Sequence, residues 1–206
     1  MSVILRDIDL VTWDVDGTLY DSSAMKQRVL LAALRHPLRA LRELLPVRRF
    51  NWAVDQTRAA GGGLADLVVR MDRPRLLRME IDWCAPAIGS AGPRPGLIAA
   101  LDAVRARGLP QVAVSDYDPA YKLTALGVSD YFAAAYAGEQ LGSVKPSPTS
   151  LLRAIETQGV EPRRVLHIGD GIATDAAAAR AAGTRCVILG RDVRDMQHLA
   201  QQLAGD

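Results

Sequence analysis

The chain opens on a short apolar block and then changes period. Asp9-Leu10-Val11-Thr12-Trp13 is β-branched and aromatic enough to predict a buried strand, and Gly17 permits the turn that ends it. Beyond Leu19-Tyr20-Asp21-Ser22, apolar residues return at three- and four-residue steps. Leu30, Leu34, Leu38, Leu41 and Leu45 form one stripe of a long helical stretch. Pro37 predicts a break or kink in that stretch, and Pro46 predicts its end. Arg28, Arg35, Arg39 and Arg42 run beside the leucines as a basic stripe, read as a solvated helix face. Gly61-Gly62-Gly63 lacks the following Gly-Lys-Ser/Thr of a P-loop and predicts a connector. Helical patterns resume over 64–71 and 74–83, with Pro74 suited to a first helical turn. No strand pattern occurs over 22–86, so an all-helical insertion is expected, closed by the Gly/Pro-dense segment 89–96.

From there strands and helices alternate. Helices are expected over 97–107, 119–126, 148–158, 176–182 and 193–203, and strands over 112–114, 133–137, 165–168 and 186–189. Such alternation predicts an α/β fold: a Rossmann-like parallel sheet with helices on both faces.

Composition narrows the function classes. At 206 residues the chain can bury one good core with room for a small second unit. A formal charge of +2 is too small to argue for nucleic acid, and no apolar stretch approaches a membrane span of about 20 residues. Cys84 and Cys186 lack CxxC spacing, so neither a disulfide framework nor a zinc site is suggested, and Cys186 reads as a small core residue. The N-terminus lacks a cleavable secretory pattern, which makes the cytoplasm the expected compartment. Lys26, Lys122 and Lys145 are the only lysines among mostly arginine cations.

The candidate chemistry sits where predicted strands end, which is where parallel sheets bind ligands. Asp14 and Asp16 are two residues apart and so point the same way, with Cα atoms about 6–7 Å apart. Ser115-Asp116 follows the second strand, and Asp118 can cap the next helix, leaving the Ser115 hydroxyl to face an anion. Lys145-Pro146-Ser147 repeats the arrangement: Ser147 is the expected cap, and Lys145 is a point charge able to neutralise phosphate oxygens. Gly169-Asp170-Gly171 and Asp175 follow the strand that holds His167, itself read as a core histidine. Five residues along a regular helix would turn Asp170 and Asp175 apart, so Asp175 or Thr174 as a plain helix cap stands beside a role in the site. Carboxylates brought this close need a cation, and an all-oxygen ligand set suits Mg²⁺.

Taken in order, DVDGT at 14–18, SD at 115–116, KP at 145–146 and GDGIATD at 169–175 resemble the motifs of the haloacid dehalogenase-like hydrolase superfamily. The insertion is similar to the helical cap of its phosphoglycolate phosphatase and β-phosphoglucomutase subgroup. The resemblance implies a core of 1–19 and 90–206 and a cap of 20–89. It implies a phosphatase acting on a small phosphorylated metabolite, in which Asp14 forms an aspartyl-phosphate and Asp16 acts as acid and then base. Gly17, Thr18, Ser115, Asp116 and Lys145 would hold the phosphate. Asp14, the Asp16 carbonyl and Asp170 would bind Mg²⁺ with support from Asp175. Asp16 speaks against a true dehalogenase, which lacks that second aspartate. A phosphomutase of the same superfamily and a non-catalytic binding protein stand as alternatives.

Overall fold

The computed structural model describes residues 4–59 and 64–205, backbone only at Asp66; Gly61-Gly62-Gly63, the expected connector, lies outside them. Five strands form one parallel sheet: β1 (Leu10–Trp13), β2 (Gln111–Ser115), β3 (Ala134–Ala137), β4 (Val165–Gly169) and β5 (Arg185–Ile188). Their spatial order is β3-β2-β1-β4-β5, so β1 is central, pairing Thr12 with Val112 on one side and with His167 on the other. The order reverses across β1, and a crevice opens there at the carboxyl ends of the strands.

Alternate strand residues serve opposite faces. Val11 and Trp13 join one core with Leu97, Leu101 and Val104 of α5 (Leu97–Arg105) and Leu199 and Leu203 of α9 (Met196–Ala204). Leu10, Val112 and Val114 join another with Leu151 and Ile155 of α7 (Thr149–Gln158) and Ala178 and Ala182 of α8 (Ala177–Ala182). The central strands are buried end to end, as a sheet covered on both faces requires. Cys186 is half-buried against the second core rather than fully inside it, because β5 is an edge strand.

Between β1 and β2 the chain is helical, as its pattern predicts: α1 (Ser22–Arg35), α2 (Pro37–Ala59), α3 (Ala65–Arg70) and α4 (Arg73–Ala91). Asp21 caps α1 by accepting from the Ser23 and Ala24 N–H groups, and Pro37 begins α2. Pro46 does not end α2. The helix runs through it to Ala59 because Val47, Phe50 and Val54, beyond the proline, pack with Leu64, Leu67 and Leu76, which offsets one lost backbone bond. Nor is the leucine stripe buried: Leu30, Leu34, Leu38, Leu41 and Leu45 are all exposed, Leu38 at 74%. Likewise α4 runs past Gly89 to Ala91, and the break comes at Gly92.

The two segments joining the helices to the sheet touch each other. Arg94 N–H donates to the Leu19 carbonyl at 2.8 Å, and the Arg94 guanidinium donates twice to the Gly17 carbonyl at 2.8 and 2.7 Å. A buried ionic cluster makes a second tie. Arg73, at the start of α4, is bidentate to Glu139 in the turn Gly138–Leu141 at 2.6 and 2.8 Å and lies 2.9 Å from Glu80.

Candidate active site

Strand ends deliver the site residues. Asp14 follows β1, Ser115 ends β2 and Asp170 follows β4. Lys145 comes from the loop before α7 and is buried, with its ammonium bonded to Asp14 and, at 2.6 Å, to Asp175. Asp14, Asp170 and Asp175 each offer a carboxylate oxygen within 4.8 Å of the others. Three carboxylates against one ammonium leave negative charge uncompensated, and a hard divalent cation with oxygen ligands answers both the charge and the chemistry.

Asp175 reaches the site by a change of helical period. Residues Ile172–Ala176 form a π turn in which Ala176 N–H donates to the Gly171 carbonyl at 3.1 Å, five residues back. That period puts Asp175 on the side of Asp170, where a regular helix would turn it away. Asp175 caps no helix. One carboxylate oxygen accepts from Gly171 N–H at 2.9 Å; the other meets Lys145 and, at 3.2 Å, His167 Nε2. The core histidine is therefore tied to the site: His167 is wholly buried and also bonds Thr12 Oγ1 at 3.0 Å.

Gly17 has φ +90, a left-handed conformation, and a Cβ there would lie 2.3 Å from Asp170 Oδ2. Thr18 donates to Asp14 Oδ2 at 2.8 Å and holds that carboxylate in place. Asp116 is differently engaged: its carboxylate accepts from Lys145 N–H at 2.8 Å and from Arg58 of α2 at 2.7 Å. It ties two loops and one helix together, so any phosphate contact by Asp116 falls to its backbone. Asp118 and Ser147 accept from Ala120 N–H and Thr149 N–H, at 2.9 and 3.4 Å, and each helix starts one residue later than expected.

Asp16 is held by a set that sequence reasoning only partly foresees. Ser115 Oγ donates to it at 3.1 Å, as do the Tyr20 hydroxyl and the Lys122 ammonium from α6 (Ala120–Leu126). Burial alone would raise the Asp16 pKa, but Lys122 and the hydroxyls hold it below the usual carboxylate range. Asp14 goes the other way: burial raises it, Lys145 opposes, and the Asp175 and Asp16 charges raise it further. Asp175 is held low despite burial because Lys145 and His167 face it. Lys122 and Tyr20 are the residues the sequence reading missed. The one signal for Lys122 was its rarity, as one of few lysines set in the apolar helix pattern of Leu123 and Leu126.

These groups floor a cavity of about 930 Å³ that extends between α1 and α2. Arg48 and Arg58 of α2 line it.

The family model for haloacid dehalogenase-like hydrolases matches residues 8–183. A phosphoglycolate phosphatase of Shigella dysenteriae serotype 1 is 29% identical over 201 residues, covering 86% of this chain and 79% of its own. Another, from Neisseria gonorrhoeae, is 28% identical over 218 residues, covering 98% and 88%. Among solved structures, a 2-haloacid dehalogenase from Pseudomonas syringae pv. Tomato superposes with a TM-score of 0.64 at 20% identity, over 96% of this chain and 98% of that one, which is a likeness of fold. With its four motifs gathered at one crevice, the chain belongs to the haloacid dehalogenase-like hydrolase family.

Proposed function

We propose that the protein hydrolyses a phosphomonoester through a phosphoryl group carried on Asp14. The observation that carries this reading is the meeting of Asp14 with Asp170 and Asp175, and of the Lys145 ammonium with Asp14 and Asp175, from three segments far apart in sequence. The two phosphoglycolate phosphatase relatives support a phosphomonoester substrate.

Asp14 attacks phosphorus with a carboxylate oxygen, the bond to the leaving alcohol breaks, and Lys145 and Ser115 stabilise charge on the transferred group. Asp16 then removes a proton from the water that attacks the phosphoryl group and frees Asp14. Its hydrogen bonds hold it ionised, ready for that step. To protonate the leaving alcohol first, Asp16 must loosen from Lys122 and Tyr20, and Tyr20 stands in the segment that leads into α1. Residues 20–89 act as a cap hinged at 19–22 and 89–96, closing over the strand ends and excluding water during transfer. Asp14, Asp170 and the Asp16 carbonyl would hold Mg²⁺, with Asp175 supporting. When bound, the ion supplies charge neutralisation between a carboxylate nucleophile and a phosphate dianion.

The test is hydrolysis of a generic aryl phosphate by the purified protein. Turnover is expected with Mg²⁺, loss of turnover in excess chelator, and poor support by Ca²⁺, which prefers more ligands at longer distances. Undiminished turnover in chelator removes the metal from the account; absence of turnover on every phosphomonoester removes the reaction.

A further inference from the structure

The cavity is larger and more apolar than a two- or three-carbon phosphate needs. Cavities of about 300–1,000 Å³ bury drug-sized ligands, and this one is about 930 Å³. Its polar floor is the acidic cluster with Lys145. Between the helices its apolar lining includes Met25, Val29 and Ala33, spaced by four on one face of α1, together with Leu44 and Val47 of α2. Along α2 the lining face changes from Leu44 and Val47 to Asn51, Asp55 and Arg58, so polarity is graded along a single helix. Met25, Val29, Ala33 and Leu44 are only half-buried, which leaves apolar surface facing the cavity. The exposed cations of the lining, Lys26 and Arg48, suit the approach of a phosphate dianion.

We infer that the site takes, from solution, phosphomonoesters whose alcohol carries an apolar chain, with the phosphate at Asp14 and Lys145 and the chain between α1 and α2. This rests on the phosphatase reading and names its substrate class. A phosphate ester with a short polar alcohol leaves the α1–α2 wall in contact with water. Each methylene laid against that wall removes apolar surface from water.

The experiment is kcat/KM, with Mg²⁺, for n-alkyl monophosphates from two to ten carbons kept below their aggregation concentration, together with calorimetric binding of the matching n-alkyl phosphonates. Specificity is expected to rise about two- to fourfold per added methylene until the groove is filled, with phosphonate affinity rising in parallel. Ala33→Asp and Leu44→Gln, one on each helix, should each flatten the dependence on chain length. Leu38→Gln, exposed on α2 and not in the cavity lining, should keep its slope. A flat or falling dependence in the unaltered protein overturns the inference while leaving hydrolysis of short esters intact, and so does equal flattening by Leu38→Gln. If no ester turns over, a rising phosphonate series upholds the groove and overturns only the reaction, whereas a flat series overturns both.

Discussion

At the scale of single residues, two aspartates two positions apart are driven to opposite pKa values by what surrounds them. Burial and neighbouring carboxylates raise Asp14, while Lys122, Tyr20 and Ser115 hold Asp16 down. Lys122→Met removes the cation that, among the described residues, is bonded to Asp16, and a misplaced proton-transfer group costs on the order of 10²-fold in rate. The expected result is a loss of that order in kcat on an aryl phosphate with an unchanged circular dichroism spectrum; wild-type kcat would deny Lys122 its role. Both thiols give a second check. Burial pushes Cys84 and Cys186 up to about 12, so at pH 8 almost none of either is thiolate. Alkylation by iodoacetamide should be slow in the native protein and fast in denaturant, and equal rates would place the thiols in solvent. Asp14, Asp16, Ser115 and Asp170 were legible in the sequence because each follows an apolar strand pattern, and Lys145 because it precedes a capped helix in their company. Lys122 was not, since a lone lysine on a short helix reads as solvent-facing until tertiary packing buries it. Asp175 was half legible: the residue was visible, but the π turn that aims it has no residue signature in Ile172-Ala-Thr-Asp175.

At the scale of elements, the strands and sheet-flanking helices followed their hydrophobic periods, with ends moved by one to three residues. The insertion was harder to read for a physical reason. Local rules end a helix at Pro46 and bury a leucine stripe, yet packing of Phe50 and Val54 carries α2 onward, and the stripe, divided between α1 and α2, stays exposed. Arg73 illustrates the energetics of that packing. It is buried between Glu80 and Glu139, lies over the Phe50 ring at 4.9 Å from its centroid, and joins α4 to the turn before Lys145. Arg73→Met strands two buried carboxylates and should destabilise the fold by about 3–5 kcal/mol in urea unfolding. A change below about 1 kcal/mol would mean that water or a local shift compensates them. By contrast Leu38→Gln, on the exposed face, should stay within about 0.5 kcal/mol of the parent.

At the scale of the whole molecule, the sheet order could not be read from the chain, because strand pairing is set by long-range contacts that no local pattern encodes. What alternation did predict was a parallel sheet, and a parallel sheet has its crevice at the carboxyl ends of the strands. That single property explains why DVDGT, SD, KP and GDGIATD, separated by up to about 150 residues, meet at one place. The helices between β1 and β2 then overhang the crevice, pinned by Arg94 at Gly17 and Leu19 and by Arg58 at Asp116. Arg58→Ala cuts one of these ties without touching the acidic cluster. If the helical insertion moves during turnover, that change should alter KM and kcat on a bulky phosphate more than on an aryl phosphate. Equal kinetics on both would make the Arg58 contact a matter of stability alone.

The most direct measurement is chemical trapping of the acyl phosphate. The protein is mixed with excess aryl phosphate and Mg²⁺, quenched in acid during turnover and reduced with borohydride, and its peptides are sequenced by mass spectrometry. An aspartyl-phosphate is reduced to homoserine where a free aspartate is untouched. A phosphoryl group on Asp14 predicts homoserine at position 14, dependent on substrate and lost in Asp14→Asn, which should also lack turnover. Homoserine at Asp16, or turnover that persists in Asp14→Asn, would contradict it.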